Sequence, residues 1–83
     1  MNILGKIQRN RKIGAVEKKL AELMKRKKDI GEFSVDLYYD DLSGNYVARM
    51  TMYGKNAIIY HARRSNFSDA IDNIAEHIDD IVL

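Results

Sequence analysis

"FSVDLYYDDLSGNYVARMTMYGKNAIIYHARR", Phe33 to Arg64, decides the fold. Phe33, Val35, Leu37 and Tyr39 alternate with Ser34, Asp36 and Tyr38, the two-residue period of a strand with one buried face. Asp40-Asp41-Leu42-Ser43-Gly44-Asn45 comes next. Asp, Ser, Gly and Asn each favour a turn, for different backbone reasons. Tyr46 to Tyr53 alternates again, with Tyr46, Ala48, Met50 and Met52 against Val47, Arg49, Thr51 and Tyr53. Gly54-Lys55-Asn56 makes a second tight connection. Ala57 to Arg64 is a third run, with Ile59 and His61 opposite Ile58, Tyr60 and Ala62. Three strands joined by short turns predict an antiparallel meander.

Helical periods flank the meander on both sides. Downstream, Phe67, Ala70, Ile71, Ile74, Ala75, Ile78 and Ile81 or Val82 recur at i, i+3, i+4, i+7, i+8, an amphipathic helix. Asn66 or Ser68 suits its N-cap, and Asp69 suits its first turn. Upstream, Ile13, Val16, Leu20, Leu23 and Met24 have the same spacing, which predicts a helix over residues 12–28. Asp29 and Gly31 fit its end. Met1 to Ile7 reads as a short strand, connected by the polar segment Gln8 to Lys12. The order is then β-α-β-β-β-α, one α+β domain over residues 1–83. The first strand, first helix and second strand should form a right-handed crossover with parallel strands. Each helix has a single apolar stripe, so both should cover one sheet face.

Charge is split along the chain. Residues 1–30 hold ten Lys and Arg against three acids, residues 31–64 balance at four and four, and residues 65–83 hold five acids and no cation. A basic first third points to a polyanionic partner. With no cysteine, disulfides, thiolate catalysis and thiolate zinc sites are excluded. The apolar run in MNILGKI is too short for a signal peptide, and its charges follow rather than precede it. No stretch approaches the ~20 apolar residues of a membrane span. The expected compartment is the cytoplasm.

Catalytic chemistry has little to stand on. His61 and His77 are far apart and lack metal-ligand spacing. The Asp40-Asp41 turn lacks the spacing and terminal glutamate of a calcium loop. Asp79 and Asp80 are neighbours on a helix and point in different directions. The five glycines are isolated, so no phosphate-cradling loop is present. No enzyme activity, metal or cofactor is expected. Tyr38 and Tyr53 could stack on bases from the sheet face away from the helices, although tyrosine is also simply common in strands. The basic segment is the main functional signal, because rigidly placed Lys and Arg neutralise several phosphates at once and release counterions. Arg63 and Arg64 extend it.

The element order, the opening "MNI", the helix "VEKKLAEL" and the close "NFSDAIDNIAEHI" resemble the ribosome hibernation-promoting factor family, the ribosome-associated translation inhibitors, in a short single-domain form. The resemblance spans nearly the whole chain. It implies a four-stranded mixed sheet with two roughly parallel helices packed on one face. It implies binding to ribosomal RNA of the small ribosomal subunit, in the channel of messenger and transfer RNA, with translation blocked in stress or stationary phase. By position, the family's RNA-binding cations of the first helix match Lys18, Lys19 and Lys25, with Arg26 and Lys28 as helpers. The second helix departs from the family, placing His77 and Asp80 where cations are usual and adding Asp79. Parallel helices would bring Asp72, Glu76, Asp79 and Asp80 near the basic first helix. The alternative expectation is therefore a protein-interaction module, a homodimer or partner binder that pairs oppositely charged helices.

Overall fold

In the computed structural model, which describes residues 3–54 and 57–82 with side chains from residue 14 onward, the alternating runs become β1 (Phe33–Asp40), β2 (Asn45–Met52) and β3 (Ile58–Arg64). They form one antiparallel sheet in the order β1-β2-β3. The register pairs Val35 with Met50 and Met50 with Tyr60, and Leu37 with Ala48 and Ala48 with Ala62. Alternation then assigns Phe33, Val35, Leu37, Ala48, Met50, Met52, Tyr60 and Ala62 to one face, and all of these pack into the core.

The β1–β2 turn is fixed by Asp40. Its carboxylate accepts the Leu42 N–H at 3.1 Å and the Ser43 hydroxyl at 2.8 Å, and its carbonyl accepts the Gly44 N–H at 2.8 Å. Gly44 has φ 73°, a left-handed conformation that glycine adopts without steric cost. The second turn lies partly outside the described residues.

The predicted downstream helix is α3 (Phe67–Val82), preceded by α1 (Ile3–Met24) and the single turn α2 (Lys27–Ile30) earlier in the chain. Asn66 caps α3: its side-chain oxygen accepts the Asp69 N–H at 2.8 Å, and its amide donates back to the Asp69 carboxylate at 3.1 Å. Ala70, Ile71, Ile74 and Ile78 are buried against the sheet, where each large side chain removed from water contributes roughly 1.5–3 kcal/mol. Leu23 of α1 joins the same core, with Val16, Leu20 and Met24 partly buried beside it.

The first strand expected from the sequence is not formed. Residues Ile3–Met24 are continuous helix, so the expected connector Gln8–Lys12 is helical as well. Met1 and Asn2 lie outside the described residues. Ile3 and Ile7 are four residues apart, one helical turn rather than a strand's alternation, and no proline interrupts the path into the amphipathic segment. The described sheet therefore has three strands, all antiparallel, in place of the four-stranded mixed sheet, and contains no parallel crossover. The class is α+β. The helix expected over residues 12–28 ends earlier, at Met24, and resumes as α2. Gly31, at φ 87°, closes it with its N–H donated to the Lys27 carbonyl at 2.8 Å.

Candidate nucleic-acid interface

The cations of α1, of α2 and of the turn between them fall into two sets. Lys19 turns towards α3, donating to the Ser68 hydroxyl at 2.6 Å and the Asp72 carboxylate at 2.8 Å. Arg26, seven residues later, reaches Asp79 at 2.8 Å, seven residues beyond Asp72, and also holds Asp29 at 2.7 Å. Equal steps on the two sides mean that α1 and α3 run alongside each other in the same direction. Hydrogen bonds donated to Asp29 and then to Asp79 raise the guanidinium's pKa further above its usual value, so Arg26 is a permanent cation in this contact.

Lys18, Lys25 and Lys28 are exposed, with Lys18 at the rim of the groove between α1 and α3. Lys25, in the turn after α1, pairs only with Glu22 of α1, at 3.0 Å, with both side chains about two-thirds exposed. Such a pair is worth ~0–1 kcal/mol and yields readily to a phosphate. Lys18 and Lys28 have no ion pair among the described residues. Lys27, which the sequence did not single out, reaches Glu32 at 3.3 Å.

The remaining predicted residues are on β3. Arg63 and Arg64 are exposed at its C-terminal end. Alternation sends Arg63 to the sheet face away from the helices and Arg64 to the helix side. The fold therefore does not gather all seven candidates. It presents Lys18, Lys25 and Lys28 outward, ties Lys19 and Arg26 to α3, and sets Arg63 and Arg64 apart.

Two further surfaces offer less. The open sheet face carries Tyr38 and Tyr53, with the Tyr53 hydroxyl 3.0 Å from that of Ser34. Arg49 lies over the Tyr38 ring at 5.9 Å and donates to Asp36 at 2.6 Å, so this cation is matched by an acid, as Arg63 is by nearby Asp40. The face is electrically balanced. Between α1 and α3 a groove of about 580 Å³ has Ala15, Leu23, Ile71 and Ala75 among its lining residues. Its charged rim is formed by Lys18, Lys19, Glu22, Arg26 and Asp72, of which all but Lys18 are in ion pairs.

Sequence reasoning missed Ser68 and Asp72 as partners of Lys19, although it noted that parallel helices would bring acids to the basic helix. His77 also has a packing partner that the sequence did not show. The imidazole is half-buried and stacked on Tyr60, centroids 3.8 Å apart and rings within 5° of parallel, while the Tyr60 hydroxyl donates to Asn73 at 2.7 Å. No group of three His, Cys, Asp or Glu positioned to hold a metal occurs among the described residues. No described helix is long and apolar enough to cross a membrane.

No family model, curated protein or solved structure matches the chain. The hibernation-factor resemblance rests on the chain's own motifs alone, because the element order that also suggested it lacks its first strand.

Proposed function

We propose that the protein is an RNA-binding regulator of ribosomes that acts in the cytoplasm by occupancy. It would bind ribosomal RNA of the small subunit and exclude messenger and transfer RNA by its bulk, without catalysis. The observation that carries this reading is the sorting of the α1 cations. The acids of α3 neutralise Lys19 and Arg26, so the acidic helix does not cancel the outward set. Lys18 on α1, Lys25 in the turn after it and Lys28 on α2 remain exposed, available to phosphates. The first half of α1 also carries Lys6, Arg9, Arg11 and Lys12 in its sequence. The motifs shared with hibernation factors supply the choice of the small subunit over other polyanions.

The competing reading, in which the oppositely charged helices pair between molecules, loses its main groups, because Lys19–Asp72 and Arg26–Asp79 form within one chain.

Pelleting of purified small ribosomal subunits with the protein tests the proposal. Saturable co-sedimentation at near-physiological salt, stronger than binding to naked structured RNA, is the expected result. Binding that disappears at physiological salt would reduce the interaction to nonspecific polyelectrolyte attraction and remove the ribosome from the reading.

A further inference from the structure

One edge of the molecule has three unmet needs that a single partner would meet. β3 is the last strand of the sheet, so along its outer side the backbone N–H and C=O groups have no strand to pair with among the described residues. Its pairing with β2 is continuous over all seven residues, and the chain contains no proline. The bulges and prolines that usually protect an edge are therefore missing. The second need is apolar. Ile58 and Ile59 at the start of β3 are 54% and 55% exposed, and Ile81 and Val82 at the end of α3 are 44% and 51% exposed.

These four residues share one end of the edge. α3 starts three residues after Arg64 and runs back along β3, as the contacts of Tyr60 with Asn73 and His77 require. Ile81 is one turn beyond His77, and Ile58 is two residues before Tyr60, so both lie past the stack in the same direction. The third need is electrostatic. Asp80 is exposed, close to the flank of α3 that bears Asn73 and His77. It sits in a last turn that has no cation, where the helix dipole disfavours an acid. At the opposite end of β3, Arg64 is exposed, donates to the Arg63 carbonyl at 2.6 Å and forms no ion pair among the described residues, while Arg63 beside it has Asp40 nearby.

We propose that this edge is a self-association surface and that its occupant is a second copy of the chain, pairing β3 antiparallel to β3 about a two-fold axis. Antiparallel pairing brings the Arg63–Arg64 end of one copy to the Ile58–Asp80 end of the other, and the symmetry repeats the contact. Arg64, on the helix side of its strand, then comes beside Asp80 of the other molecule. Ile58 and Ile81 of each copy are covered at the seam, and the two sheets become one of six strands. β1 is a poorer choice for the same operation. Its only charged residues are the acids Asp36 and Asp40, so β1–β1 pairing would bring like charges together. A β1–β3 contact would not close and would grow into filaments. The inference rests on the fold and is independent of the RNA reading.

Light scattering on the full chain over a range of concentrations tests it. The expected result is reversible formation of a species of twice the chain mass. Arg64→Glu and Asp80→Arg should each weaken the dimer roughly tenfold, since each change acts twice across the axis, and the combined R64E/D80R chain should recover it. Both positions are exposed, and unchanged circular dichroism would confirm that each variant folds. Ile58→Asp should dissociate the dimer without any charge partner to restore it. A monomer at every concentration, an assembly that keeps growing, or a dimer indifferent to both charge reversals would overturn the proposal.

Discussion

Lys18 and Lys19 are neighbours in sequence and do different work. Lys19 is fixed between Ser68 and Asp72, whereas Lys18 faces solvent. Lys19→Met should cost about 0–1 kcal/mol of stability, the ordinary worth of a partly exposed pair, with urea denaturation as the check. Lys19→Glu should cost more, because it opposes Asp72 with a like charge. Ile74, fully buried on the sheet-facing side of α3, belongs to another class. Ile74→Ala should remove about 2–5 kcal/mol by lost transfer energy and a residual cavity. That is a large share of what a domain of this size has in total. Asp40 gives a pH signature. Hydrogen bonding to Ser43 first, and to the turn's N–H groups, holds its carboxyl below the usual value. A depressed folded pKa stabilises fully above the ordinary carboxylate value of ~3.9 and is lost as pH falls through the lowered one. Asp40→Asn should therefore be less stable than wild type at neutral pH, and the gap should close only in acid, as read from denaturation midpoints across pH.

At the scale of elements, the β1–β2 turn and the α1–α3 contact are the informative cases. An added Cβ at Gly44 would meet only the Tyr39 hydroxyl at 3.9 Å, an ordinary contact, so the cost of Gly44→Ala is the left-handed backbone alone, about 1–2 kcal/mol. The three strands and α3 were legible in the sequence because their signal is local: alternation from Phe33 to Arg64, and apolar spacing from Phe67 onward. The first strand was misread because Met1–Ile7 is short and its two isoleucines fit a helical turn better than a strand. The division of the α1 cations was not legible. Lys19 and Ser68 are 49 residues apart, and their meeting depends on how far each helix is rotated about its axis. Helical periodicity limits that rotation without fixing it. The cations as a group were legible from composition alone; which of them are free was not.

For the whole molecule, the split between a basic start and an acidic end has a physical resolution. Part of it is internal: α3 supplies the carboxylates that dock α1 through Lys19 and Arg26. The rest is left facing outward on α1 and α2. The measurement that separates these roles compares two folded variants in one assay, co-sedimentation with small ribosomal subunits at near-physiological salt. K18E/K25E/K28E should keep its circular dichroism and melting temperature close to wild type and lose binding, with the salt slope reduced by about 2–3 for three lost phosphate contacts. K19M/R26M should melt somewhat earlier and still bind. Retained binding by the folded triple variant, or loss confined to the K19M/R26M chain, would mean that the outward lysines are not the RNA-binding surface.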